Sequence, residues 1–263
     1  MDLELTGKVA IITGGSDGIG KATALSLAGE GARVAICARS PEPLVKAADD
    51  IHRSTGAQVI PIPADVRDRS QVEAMVKRVV EELGRVDILV NNAGTSHAYG
   101  FLDADDDVWE EDLRLKVFGA IYFARAVIPY MKLAGGGAIV NVTTPGGKAS
   151  PGGSLPTSAS RAAGISITKA LSKEFAAEGI RVNTVCVGNI KSGQQRRRWE
   201  GRVEANPDLT LEQHYSEVGE SIPLRRIGEA REVGDVIAFL ASDRASYITG
   251  SSVNVDGGVS PVV

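Results

Sequence analysis

Apolar residues along this chain come in short consecutive runs separated by longer stretches that repeat at helical spacing. The runs Val9–Ile12, Arg33–Cys37, Gln58–Ile62, Val86–Asn91, Ala138–Thr143, Arg181–Val187 and Ser252–Val255 predict seven strands. Ile88-Leu89-Val90 and Ile139-Val140 are apolar on successive residues, as a strand must be when helices cover both faces of its sheet. Between the runs lie amphipathic segments of helix length, beginning with Ile19 to Ala28, so the rhythm is βαβ throughout. The expected fold is α/β: a Rossmann-like, doubly wound, mostly parallel sheet of seven strands with helices on both faces. With 43% hydrophobic residues in 263, one large core suffices, so residues 1–263 are read as a single domain. Open sheets of this kind bind ligands beyond the carboxyl ends of their strands, which directs attention to the residues just after each run.

After the first run comes Thr13-Gly14-Gly15-Ser16-Asp17-Gly18-Ile19-Gly20, a glycine-rich strand-to-helix turn. Gly14 permits a tight turn, Gly18 lets backbone approach a pyrophosphate, and Gly20 lets the helix pack on the strand. The free N–H groups and positive end of the helix favour phosphate. This is the pattern of a dinucleotide site. After the second run stands Ala38-Arg39, where an NAD site would place an acid to accept the ribose hydroxyls. Arg39 instead offers a fork of donors matched to a 2′-phosphate, favouring NADP(H) over NAD(H), although Asp17 adds opposing charge and a solvated surface arginine is the plainer reading. Asp65, after the third run, is positioned to accept from an adenine amino group or simply to make a turn.

A net charge of −4 and a pI near 5.5 give no general attraction to nucleic acid or anionic membrane, Arg196-Arg197-Arg198 being a local exception. Small-molecule partners are expected, and no metal site. Cys37 and Cys186 both lie in strand-like runs, and nothing reads as a secretion signal or an uninterrupted membrane span, which fits a reducing cytoplasm.

Thr13–Gly20, Asp65-Val66, Asn91-Asn92-Ala93-Gly94, Ile180–Asn183 and Asp256-Gly257-Gly258 together resemble the short-chain dehydrogenase/reductase superfamily, over nearly the whole chain. The resemblance implies a nicotinamide cofactor and an alcohol–carbonyl substrate pair. It implies cofactor contacts from Gly14, Ser16, Asp17, Gly18, Ile19 and Gly20, from Arg39, from Asp65 and Val66, and from Asn91, Ala93 and Gly94. It adds Arg161 and a nicotinamide-side turn of Gly188, Ile190 and Ser192, in which Val187 replaces a usual proline and Ser192 a usual threonine. Trp109–Met131 and Thr157–Ala177 include helices that pair chains in family members, so a homo-oligomer is implied, with the apolar tail Val259–Val263 available to pack on a neighbour.

The family's proton machinery is a serine after the fifth strand, a tyrosine and a lysine four residues apart on the next helix, and an asparagine on an earlier helix. All four are replaced. The strand ending Val142-Thr143-Thr144 puts Thr144 at the serine position, and the family spacing then leads to Thr157 for tyrosine and Arg161 for lysine; Leu115-Lys116-Val117-Phe118-Gly119 puts Lys116 at the asparagine position. Thr144 retains a hydroxyl. Thr157 is the severe change, because an aliphatic hydroxyl is about as weak an acid as water at roughly 15.7, against about 10 for a phenol. Arg161, one turn from Thr157, keeps a permanent charge for the nicotinamide ribose or an oxyanion. Lys116, desolvated beside a second cation, becomes the candidate proton donor, directly or through one water, with Arg161 and Thr144 steadying the alkoxide. A plain ion pair with Asp112 at i,i+4 is the competing account of Lys116.

Two other classes stand against this reading: a catalytically idle subunit that binds cofactor and supports a partner in a mixed oligomer, and non-redox chemistry. Halohydrin dehalogenases, similar in fold, use serine, tyrosine and arginine without a nicotinamide, but Thr157 and the intact glycine turn set this chain apart. The replacements are polar or charged, as in a rewritten site. Residues 193–222 are expected to cover the substrate, with a helix at Leu209 to Val218. Lys191 and Arg196-Arg197-Arg198 suit a carboxylate, phosphate or carrier-linked substrate, or else form a solvated face. His97 and Tyr99 are read as a second possible proton source or as ordinary loop residues.

Overall fold

The computed structural model describes residues 2–263; Met1, the first residue of the expected domain, lies outside them. The seven expected strands all form, as β1 (Val9–Thr13), β2 (Arg33–Ala38), β3 (Val59–Pro63), β4 (Ile88–Asn91), β5 (Gly137–Thr143), β6 (Ile180–Val187) and β7 (Ser252–Val255). They make one parallel sheet in the order β3-β2-β1-β4-β5-β6-β7. The order reverses direction between β1 and β4, which opens a crevice at their carboxyl ends.

Successive strand residues point to opposite faces, so the consecutive apolar runs feed two cores. Ile12, Ile36, Val90 and Val140 pack against α1 (Gly18–Gly29), α2 (Pro41–Thr55) and the distant α9 (Ala230–Ala241), through Leu27, Leu44, Ile51 and Ile237. Ile11, Leu89, Ile139 and Val182 pack against α3 (Arg69–Leu83) and α5 (Gly119–Leu133), through Val72, Val76, Phe123 and Val127. Each such buried side chain contributes about 1.5–3 kcal/mol, which is why the layers hold without disulfides; Cys37 and Cys186 are buried and free. Asp68 starts α3 by accepting from Ser70 N at 2.8 Å, satisfying an otherwise unpaired helical donor.

Three local features position the site. Asp105 caps α4 (Asp106–Leu113), and a single π turn, Arg114–Phe118, links it to α5 and carries Lys116 inward. Such turns insert a residue into a helix and re-aim its side chains. A short antiparallel ladder pairs Ala98 with Pro156 and Tyr99 with Leu155, holding the loop after β4 against the start of α6 (Thr157–Glu174). The segment expected as a lid holds two helices, α7 (Gly193–Val203) and α8 (Leu211–Glu220); α8 is the expected one and α7 is new. Among the described residues no helix is long and apolar enough to cross a membrane, and no group of three or more His, Cys, Asp or Glu side chains gathers to hold a metal ion.

Candidate active site

The glycine turn is fastened to the turn after β4. Thr13 Oγ1 accepts from Asn92 N and Ala93 N, both at 2.9 Å, while Asn92 Nδ2 donates to Thr13 O at 2.9 Å. Gly14 has φ +67°, and a Cβ there would lie 2.9 Å from Asn92 Nδ2, so glycine is required twice over. α1 begins at Asp17 with no side-chain cap, leaving its first N–H groups open toward the cleft.

A cleft of about 520 Å³ runs along these strand ends. It gathers Gly14, Ser16, Asp17, Gly18 and Ile19, then Ala93 and Gly94, Thr144, Thr157 and Arg161, and Gly188, Ile190 and Ser192. An adjoining pocket of about 460 Å³ carries Arg39, Asp65 and Val66. Gly20 and Asn91 are the two expected cofactor residues on neither wall. Gly20 lies buried under the turn, and Asn91 points into the sheet, where its Nδ2 donates to Asn141 Oδ1 at 2.8 Å and Asn141 Nδ2 to Thr168 Oγ1 at 2.8 Å. Buried amides need such partners, and this chain of three ties β4 through β5 to α6.

The Asp65 carboxylate is occupied. Arg67 Nε donates to it at 3.0 and 3.1 Å and Nη2 at 2.6 Å, holding its pKa below the usual carboxylate range, and Arg67 also reaches Glu111 at 3.1 Å. Arg39 and Arg67 thus stand in one pocket, and Arg197 of α7 borders both this pocket and the main cleft.

Thr157 and Lys116 meet behind the cleft. Lys116 Nζ donates to Thr157 Oγ1 at 2.8 Å and is paired with Asp112, one turn earlier on the same side. The Lys116 side chain is 1% exposed and, together with Arg161, lines a small cavity. Asp112 is fully buried, and its second oxygen accepts from Ser160 Oγ at 2.6 Å. Thr157 Oγ1 also accepts from His97 N at 2.9 Å and donates to His97 O at 2.8 Å, so backbone clasps the hydroxyl. Arg161 Nη1 donates to Val142 O at 2.7 Å, and its buried Nε has no partner. A Cβ on Gly94 would lie 2.7 Å from Arg161 Nη2, so a larger residue there would shift the guanidinium from this position.

Burial first, and the nearby Arg161 charge second, lower the Lys116 ammonium from 10.5 to about 8 against the opposing pull of Asp112. Burial also depresses the Arg161 guanidinium from its ordinary value, yet it stays charged. Thr144 borders the cleft beyond the end of β5, while Thr143 faces inward to Cys186 Sγ at 3.1 Å.

Over the cleft, α7 is fixed to α8 and to the turn before it by polar contacts: Trp199 Nε1 donates to Leu209 O at 2.8 Å, and Arg202 pairs with Glu217 of α8 at 2.6 Å. Lys191 is paired with Glu229 at 2.6 Å, whereas Arg197 and Arg198 border the cleft. Sequence reasoning assigned no role to Thr13, Asn92, Arg67 or Ser160. Thr13 and Asn92 sat inside motifs already singled out, and Arg67 stood two residues from Asp65; Ser160 had no signal.

Comparison with known proteins gives matches over almost the full length. The sequence profile of the family described as enoyl-(acyl carrier protein) reductase matches residues 14–260. The oxidoreductase UcpA of Escherichia coli K12 is 37% identical over 260 residues, covering 97% of this chain and 95% of that protein. L-sorbose reductase from Gluconobacter frateurii, solved with NADPH and L-sorbose, superposes with a TM-score of 0.95 at 32% identity, covering 100% of both chains. A short-chain oxidoreductase from Pseudomonas aeruginosa PAO1, solved in its apo form and described as containing an atypical catalytic center, superposes with a TM-score of 0.91 at 37% identity, covering 97% of this chain and 98% of that one.

Proposed function

The chain belongs to the short-chain dehydrogenase/reductase superfamily of oxidoreductases, and we propose that it interconverts a carbonyl compound and its alcohol with NADP(H), using Lys116 behind Thr157 where the family has a tyrosine. The uncapped start of α1, the glycine turn and the cleft beside it fit a dinucleotide. Gly14 to Ile19 would hold its pyrophosphate, Arg39 and Arg67 a 2′-phosphate, and Arg161 with Gly188 to Ser192 its nicotinamide end. When bound, the nicotinamide supplies or accepts a hydride.

The protein's own task is the proton. Lys116 lies too deep to touch a substrate itself, and Thr157 borders both Lys116 and the cleft. In the reducing direction, the Thr157 O–H turns from His97 O toward the substrate oxygen and releases its proton there, as Lys116 Nζ–H gives one to Oγ1. An aliphatic hydroxyl alone is too weak an acid for this; a hydroxyl refilled by an ammonium at about 8 is not. Arg161 and Thr144 stabilise the developing alkoxide. Arg197 and Arg198 on the cleft suit a substrate with a carboxylate, phosphate or carrier-linked group, and the family resemblance favours a homo-oligomer.

The 2.8 Å contact between Lys116 Nζ and Thr157 Oγ1 carries this reading. NADPH and NADH titrations followed by turnover on a panel of ketones test it, with Lys116→Ala as the key variant. Turnover lost with cofactor affinity retained is the expected result; full turnover by Lys116→Ala overturns the donor, and NADPH binding without turnover of any substrate favours an idle subunit.

A further inference from the structure

Donation through Thr157 leaves Lys116 neutral where solvent does not reach, since its side chain is 1% exposed and that of Asp112 is 0% exposed. Each further turnover needs a route inward for a proton. His97 has the geometry for one. Its Nδ1 is buried without a hydrogen-bond partner and stands 3.5 Å from Asp112 Oδ1, the same oxygen that pairs with Lys116 Nζ. One carboxylate oxygen therefore lies between two nitrogens, and Ser160, on the other oxygen at 2.6 Å, keeps the carboxylate from turning away. The His97 side chain is itself 22% exposed and borders the pocket that carries Arg67 and Glu111, which pair with each other at 3.1 Å; the Tyr99 ring lies 6.5 Å away. Arg161, beyond Lys116, completes the charged surroundings. Of these groups, His97 is the one that touches both an open pocket and the buried pair.

We infer that His97 is the proton port of the Asp112–Lys116 pair, passing a proton from water to Asp112 Oδ1 and on to Lys116 Nζ after each donation. Starting with its proton on Nδ1, the ring takes a second from water at Nε2 and gives up the first to Asp112 Oδ1, and that oxygen hands it to the neutral amine. Re-protonation of Nδ1 with loss of the Nε2 proton to water, during an outward swing of the ring, restores the starting tautomer for the next turnover. One proton enters at the ring for each that leaves on a substrate oxygen; only N–H and O–H bonds change, and no oxidant or reductant takes part. A separation of 3.5 Å is slightly beyond a hydrogen bond, so transfer begins with a small inward swing of the ring. The use of the port in turnover rests on the proposed role of Lys116, whereas the port itself does not.

His97 clasps Thr157 through backbone N and O, so His97→Ala removes the imidazole and leaves the clasp in place. The measurement is exchange of the Lys116 Nζ hydrogens with water, by NMR of lysine labelled with ¹⁵N, in wild type and His97→Ala at matched pH. Exchange is expected to slow by about a hundredfold or more in the variant, the low end of general acid–base effects, and to recover when imidazole is added to the buffer. Unchanged exchange overturns the inference, as does slowed exchange that imidazole leaves slow. Because this readout needs no substrate, it can fail while the loss of turnover in Lys116→Ala stands, and the reverse.

Discussion

Lys116 Nζ reaches Thr157 Oγ1 at 2.8 Å from inside the protein, and of the two residues it is Thr157 that borders the cleft. Among the described residues, this hydroxyl is the contact through which the ammonium meets the cleft. Thr157→Val keeps the volume and deletes the oxygen, stranding His97 N and removing an acceptor from Lys116. Turnover is expected to fall by about 10²–10⁴. Stability should fall by about 1–3 kcal/mol. Thr157→Ser should recover both, and steady-state kinetics with denaturant unfolding on the three proteins checks the pattern.

The position of Lys116 near 8 fixes the pH dependence. Reduction needs the charged amine, so kcat/KM for a carbonyl should fall about tenfold per pH unit above about 8. Oxidation of the alcohol needs the neutral amine and should climb to a plateau above the same point. Profiles in both directions, with the residual activity of Lys116→Ala lacking the break, are the check.

The same group alters stability in a defined window. The unfolded chain holds the Lys116 proton up to about 10.5 and the folded chain only to about 8, so between these values the unfolded state binds more protons and stability rises with pH. Below the window a penalty on the order of 3 kcal/mol is fully present. Cys37, pushed up to about 12 by burial, gives an opposite trend at high pH, but it is common to wild type and variant. Denaturant unfolding at pH 7.5 and pH 10 should show the rise in wild type relative to Lys116→Met, which lacks it.

Arg39 should choose between cofactors. Losing hydrogen bonds to a charged 2′-phosphate costs about 1.5–3 kcal/mol, so Arg39→Ala should weaken NADPH about 10- to 100-fold and leave NADH unchanged. Fluorescence titration with both nucleotides reads this out; equal loss for the two would place Arg39 outside the phosphate site.

The sheet was legible because strands buried on both faces are apolar residue after residue, and all seven lie within two residues of the expected ends. Helix α7 was not, since Gln195 is its only buried residue and Trp199 and Arg202 hold it by polar contacts rather than by an apolar stripe. In the site, the positions of Lys116, Thr157 and Arg161 followed from motif spacing. The burial of Asp112 and the approach of His97 did not. They depend on a π turn and on a two-residue ladder that joins segments distant in sequence, and neither leaves a periodic signal.

Arg161 adds a consequence of its own. Its guanidinium donates to Val142 O and stays charged, whereas in the proposed mechanism the Lys116 amine, which lines the same small cavity, gains and loses a proton. The cluster thus carries one constant positive charge and one that alternates. On the proposed mechanism a newborn alkoxide would still face a cation at the instant the other had been neutralised, an asymmetry that two lysines in these places would not provide.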